Sequence, residues 1–475
     1  MSAEWQGMLL GDFVELKRGY DLPKKQRTAG EVPLVSSAGV SDTHGEAKVA
    51  GPGVVTGRYG TIGEVYYVEE DFWPLNTTLY VRDFKGNVPK FVYYFLKTID
   101  YLQYSDKAAV PGVNRNHLHT AEILVPTSTD MQQRIAEILA VLDDKIQLNH
   151  QINQTLEQMA QAIFKSWFVD FEPVKAKIAA RKHWLAMQPA NESASPVCYA
   201  SDAKYRPPGD ESPAVDLETA ISLAAMRAIS GRFLTDAGTD PLARLQAEQP
   251  AQYAELRATA ALFPAAMQDS ELGDIPEGWV AGNLKYIAKY PNDRVSTEEL
   301  TLGTYVSTEC MIENKKGVAP ATSIPTTTAV PSFKPNQVLV SNIRPYFKKI
   351  WLARYTGGRS PDVLCFDCID NQGHEFLFNV LYQDSFFDYM MRTSKGAKMP
   401  RGDKKAVMEF ELTIPSSQLI AEYSQRISGF YKLAALKSVE NNALEQLRDS
   451  LLPKLLSGEL TLPEAQTPLQ DVVHA

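Results

Sequence analysis

Asn114, Arg115, Asn116 and His117 stand in an unbroken row. Side chains of these types hydrogen-bond base edges in the DNA major groove, Arg at guanine and Asn at adenine. Lys107 precedes the row, and Arg58 and Tyr59 sit in a glycine-rich run, Gly57 to Gly63. A second set is cationic: Arg344, Lys348, Lys349, Lys395, Lys398 and Arg401. Both sets read as candidate DNA contacts. Spacing alone does not divide them into base readers and phosphate anchors.

The formal net charge of −9 argues weakly against nucleic acid, because phosphate contact needs local cations. The charge is segregated, however. From Asn314 to Pro361 there is no Asp or Glu, while Lys315, Lys316, Lys334, Arg344, Lys348, Lys349, Arg354 and Arg359 all fall there. Arg392, Lys395, Lys398, Arg401, Lys404 and Lys405 follow, diluted by Asp403. An acidic chain with such islands can present a basic face.

Catalytic signatures are missing. The glycine-rich run lacks the Lys followed by Ser or Thr that a phosphate loop needs, so its glycines read as tight-turn residues. Pro207-Pro208 is not preceded by Asn or Asp and is not followed by an aromatic residue, so the usual amino-methyltransferase tetrapeptide is absent. Cys365 and Cys368 have a CxxC spacing that suits zinc, but no second pair matches it and Cys365 sits in an apolar strand. They read as core cysteines. His117 and His119 have no ligand partner nearby in sequence and read as polar loop contacts. No catalytic and no metal-binding residue is assigned.

The elements that must position these loops are written twice. Two long amphipathic helices follow Pro126 and Pro415. The first carries Ile135, Ile138, Leu142, Ile152, Leu156, Met159 and Ile163 as its stripe; the second carries Ile420, Tyr423, Ile427, Phe430, Leu444, Leu447 and Leu451. The spacing predicts a coiled-coil seam of about 37 to 42 residues, or roughly 55 to 63 Å, per helix. Matched stripes point to mutual packing. Ahead of each helix comes a similar region. Strands are predicted at Gly53 to Arg58, Glu64 to Val68 and Thr78 to Arg82, a helix from Pro89, and a strand at Glu122 to Val125. The second region repeats the order: strands at Gln337 to Ser341, Ile350 to Arg354 and Val363 to Phe366, a helix near His374 to Met391, and a strand at Glu409 to Ile414. Pro111 lies fifteen residues before Pro126, and Pro400 lies fifteen before Pro415.

Residues 1–126 and 271–415 are therefore expected to be two related domains, 127–170 and 416–475 the long helices with a C-terminal tail, and 171–270 an Ala-rich insertion or linker with a short helix at Leu217 to Ile229. The fold class is α+β: two mixed α/β domains joined by two long helices, with an internal pseudo-twofold repeat. No apolar run reaches the eighteen or so residues that span a membrane, no secretory signal is visible, and four cysteines in 475 residues fit a reducing cytoplasm. Ile163, Phe164, Trp167 and Phe168, and Leu451, Leu452, Leu455 and Leu456, are too apolar for exposed helix ends. They are expected to dock a partner or the other domain, or else to cap the local core.

The chain resembles the specificity subunits of type I restriction–modification systems. The resemblance rests on Trp5 with Leu10-Gly11-Asp12, GVVTGRYGTIG at Gly53 to Gly63, SELGDIPEGW at Ser270 to Trp279 and LLPKLLSGEL at Leu451 to Leu460. It implies two target-recognition domains that each read one half of a split double-stranded DNA sequence, and helices that pack as an antiparallel coiled coil and set the gap. It also implies no catalytic centre on this chain. Two modification subunits would bring S-adenosylmethionine, and restriction subunits would bring ATP and Mg. Two other classes stand beside it: a coiled-coil scaffold that binds only proteins, and a nuclease or methyltransferase with unrecognised catalytic residues.

Overall fold

The computed structural model describes residues 5–105, 112–187, 216–231, 240–369, 373–396 and 398–460. The chain divides into two compact units, Met1–Gln151 with Lys437–Ala475, and Ile152–Leu436. The two long helices, Thr129–Phe168 and Ser417–Ser457, each give one half to each unit.

The first unit is built on a four-stranded antiparallel sheet in the order Glu15–Arg18, Thr78–Asp83, Gly53–Gly57, Val65–Val68. All five residues of Gly53–Gly57 are buried, as a Val-rich central strand should be. The helix Pro89–Leu96 starts on a proline, whose missing N–H costs nothing there, and buries Phe91, Val92, Tyr94, Phe95 and Leu96. Strand Trp5–Leu9 pairs with Glu122–Pro126 directly ahead of the first long helix.

The second unit repeats this plan. Its sheet runs Ala288–Lys289, Val363–Cys368, Val338–Ser341, Ile350–Leu352, the same order and the same antiparallel pairing. Val280–Asn283 pairs with Glu411–Ile414 ahead of the second long helix. The predicted single helix near His374 is two, His374–Tyr382 and Asp384–Arg392. Gln383 between them is extended, with its Nε2 donating to Gln161 Oε1 at 2.9 Å and Asn379 O at 3.0 Å.

Within the first unit the long helices run antiparallel: Asp143 meets Arg448 at 2.8 Å, and Asn149 meets Asn441 at 2.8 Å. The seam differs from the expected stripe. Met159 and Leu447 are exposed, while Asn149 and Asn441 are buried. Among the described residues from Lys432 to Leu451, Asn441 alone is buried.

Of the eight apolar helix-end residues, six are buried and Ile163 and Leu451 are half-buried, the arrangement expected of residues that cap a core. Phe164, Trp167 and Phe168 are buried with Phe376 and Tyr423 in the second unit's core, and Ile163 packs against it. Leu452, Leu455 and Leu456 are buried in the first unit's core with Leu10, Phe13 and Ile123, and Leu451 packs against it. Each helix thus spends its apolar C-terminal end on the unit built by the other repeat. Gly458, at φ +76°, ends the second helix in the left-handed conformation, and the Trp5 indole leaves no room there for a side chain.

The described part of the insertion holds the helices Glu172–Ala186, Leu217–Ser230, Pro241–Glu248 and Pro250–Ala261 and a short strand, Met267–Gln268. Asp216 caps the second of these through Thr219 N, and Gly231 closes it at φ +65°. Leu242, Leu256, Ala260 and Phe263 join the second unit's core. The Pro/Ser-rich piece around Asn191 to Pro213 lies outside the described residues. Among the described residues, no helix is long and apolar enough to cross a membrane.

Candidate nucleic-acid interface

In the first unit the glycine-rich run makes the turn between Gly53–Gly57 and Val65–Val68, with Gly60 at φ +79° and Gly63 at φ +87°. Arg58 leaves the central strand at the start of that turn. Its backbone N–H donates to Thr77 O at 2.9 Å, and its carbonyl accepts from Val113 N at 3.1 Å. Its guanidinium Nε returns a bond to Val113 O at 3.2 Å, and its Cζ lies 4.6 Å from the Tyr59 ring centroid. The Tyr59 ring in turn lies where a side chain at Gly112 would sit. A loop distant in sequence is so pinned beside Arg58.

That pinning brings Asn114 and Arg115 to Arg58. With Lys17, Arg18, Tyr20 and Asp21 they line an open basin of about 500 Å³. Lys17 and Arg18 are not among the candidates that the sequence alone singles out. Their signal was the run Glu15-Leu16-Lys17-Arg18, a sheet-edge strand ending in two cations. Arg18 has Asp21 at 3.7 Å, and its side chain is 52% exposed.

Asn114 Oδ1 accepts from Asn116 N at 3.0 Å and so caps the short helix Arg115–Leu118. Its oxygen is used by the backbone, which leaves the amide as the group it can offer a base. Arg115, Asn116 and His117 are exposed. His119 is not a surface contact. Its Nε2 accepts from Leu16 N at 3.0 Å, and burial, followed by the Arg115 charge, holds it below the usual histidine range. Lys107 lies outside the described residues.

The second unit has the same framework with other side chains. Asn342 N donates to Asp362 O at 2.8 Å, and Asn342 O accepts from Gly402 N at 3.1 Å. These bonds match those of Arg58, so Asn342 stands where the first unit has Arg58. Asn342 is 3% exposed, and its Oδ1 has no donor among the described residues. Asp403 caps the short helix Lys404–Met408, its Oδ1 accepting from Lys405 N at 3.0 Å as Asn114 does from Asn116 N.

The second cationic set is divided by the fold. Arg344 N donates to Pro400 O at 2.8 Å, and Lys395 and Arg401 exchange backbone bonds, so these three gather at one hairpin, with Lys398 exposed beside them. Lys395 pairs with Asp403 at 2.6 Å, and Arg401 pairs with Asp362. The Lys395 ammonium, followed by the Ala406 and Lys405 amides, holds the Asp403 carboxyl down to about 2. Lys348 is tied to Asp384 at 3.0 Å beside Lys315, and Lys349 Nζ donates to Thr308 O at 3.1 Å. Those two lysines hold the unit's own loops.

Cys365 is wholly buried, with its Sγ donating to Gln337 Oε1 at 3.3 Å, and burial pushes its thiol up to about 12. It packs as a core cysteine with Leu339 and Val363. Among the described residues no group of three or more His, Cys, Asp or Glu side chains could hold a metal ion.

Residues 2–158 match the type I restriction modification DNA specificity domain. The chain is 26% identical over 447 residues to the type I restriction enzyme HindI specificity subunit of Haemophilus influenzae, covering 84% of each. It is 37% identical over 94 residues to the MjaIX specificity subunit of Methanocaldococcus jannaschii, 19% of this chain and 22% of that one. Among solved structures, the type I restriction–modification S subunit from M. genitalium aligns with a TM-score of 0.49 and 14% identity, over 98% of each chain.

Proposed function

We propose that this chain, whose residues 2–158 match the type I restriction modification DNA specificity domain, is the DNA-reading member of a complex with modification and restriction subunits. Each unit reads one half of a split target, and the paired helices set the gap. The chain carries no catalytic centre of its own. Methyl transfer and cutting, with their S-adenosylmethionine, ATP and Mg, belong to the partner chains, of which two are modification subunits.

The observation that carries this reading is the duplicated frame: one sheet order, one strand-end residue bonded to one loop, one capped short helix, all present twice. In the first unit that frame gathers Lys17, Arg18, Arg58, Asn114 and Arg115 around a single basin. Cations there answer the phosphates, and Arg and Asn answer base edges.

Selection from a random duplex pool by the assembled complex tests the reading. The expected result is two defined tracts separated by a constant unspecified gap. Absence of any enriched sequence favours a scaffold that binds only proteins, and turnover of DNA by the isolated chain favours an enzyme.

A further inference from the structure

The two frames can be matched residue by residue, and the match places the second unit's DNA contact at Lys404 and Lys405 and not at Lys348 and Lys349. Gly402 N bonds to Asn342 O at 3.1 Å as Val113 N bonds to Arg58 O at 3.1 Å. The next residue in each loop, Asp403 or Asn114, caps a short helix through the amide two residues on, at 3.0 Å in both. Each cap lies twelve residues before the proline that precedes its long helix, Pro415 or Pro126. Lys404 therefore occupies the place of Arg115, and Lys405 the place of Asn116.

Both lysines are exposed, and among the described residues neither is in an ion pair. Their neighbours are engaged: Lys395 with Asp403, Arg401 with Asp362, Lys315 and Lys348 with Asp384, Lys349 with Thr308 O. The amides of Lys405 and Ala406 are already taken by Asp403, so any contact here comes from the ammonium groups. A lysine is a point charge on a flexible stem and lacks the planar fork that reads guanine in a fixed pose. The position that supplies a guanidinium in the first unit, Arg58, is the buried Asn342 here.

We infer that Lys404 and Lys405 hold duplex phosphates for the second unit, and that Lys348 and Lys349 do not touch DNA. The inference rests on the DNA-reading role proposed above. It makes the contact positioning and sequence-blind, unlike that of Arg115.

The test measures affinity of the assembled complex for its selected duplex at several salt concentrations, for wild type, K404Q/K405Q and K348Q/K349Q. Two phosphate contacts contribute about 1.8 to the slope of log affinity against log salt, at about 0.9 each. K404Q/K405Q is expected to lose that much slope while selecting the same sequence. K348Q/K349Q is expected to keep the wild-type slope. An unchanged slope in K404Q/K405Q overturns the assignment, as does an equal loss in K348Q/K349Q. Relaxed sequence choice at one half-site in K404Q/K405Q also overturns it, since that marks a base contact. If wild type itself enriches no sequence, the underlying DNA-reading role has failed instead.

Discussion

Asn149 Nδ2 donates to Asn441 Oδ1 across 2.8 Å, with Asn149 fully buried and Asn441 3% exposed. Asn441 Nδ2 also donates to Ile146 O at 3.2 Å. Polar side chains thus occupy the middle of a seam whose ends are apolar. Such a pair stabilises one register, because a slipped register leaves both amides buried without partners. Asn441→Leu is expected to lower stability by about 1 to 3 kcal/mol, the cost of stranding Asn149. Asn149→Leu with Asn441→Leu should recover most of the loss or exceed wild type. Urea midpoints followed by helical circular dichroism measure both. A double variant as weak as the sum of the singles would count against the pair.

Leu455 is 1% exposed in the first unit's core. Leu455→Ala is expected to cost about 2 to 5 kcal/mol of folding stability, as for a buried leucine. A docking residue for another subunit would behave differently, with unchanged stability and failed assembly. Thermal unfolding of the free chain separates the two.

Glu157 sits largely out of water beside Tyr382, and burial raises its carboxyl above the ordinary 4.5, against the opposing pull of the Tyr382 hydrogen bond and Lys315. A raised carboxyl contributes stability that is full below pH 4.5 and is lost as the pH climbs through the raised folded value. Glu157→Gln removes that loss. The variant is expected to match wild type near pH 4 and to be the more stable at pH 7, read from denaturant midpoints at each pH. A constant difference across that range would exclude titration of Glu157 as the cause.

Arg115→Ala is expected to relax one half of the selected target and leave the other intact, at a cost of about 1 to 3 kcal/mol if Arg115 reads a base. Gly112→Ala should act on the same half by a different route, since its methyl displaces the Tyr59 ring that lies beside Arg58. Sequence selection with each variant complex checks both. Equal loss at the two halves would contradict separate reading.

The sequence by itself determined the local elements and their repetition. Valine-rich runs bounded by glycine and proline made strands, and apolar residues three and four apart made helices of 40 and 41 residues. The glycine-rich run was legible as a turn because only glycine adopts such positive φ without strain. Tertiary structure decided everything that depends on a partner far along the chain. The stripe named the apolar faces but not Asn149 and Asn441, since a polar residue enters a seam only when its partner meets it there. The apolar helix ends looked like docking surfaces because their covering residues, Leu10 and Phe13 for one and Phe376 for the other, lie hundreds of residues away. Lys348 looked as available as Lys404 until the chain brought Asp384 to it. Charge type is a local property; whether that charge is already neutralised is settled only by the fold.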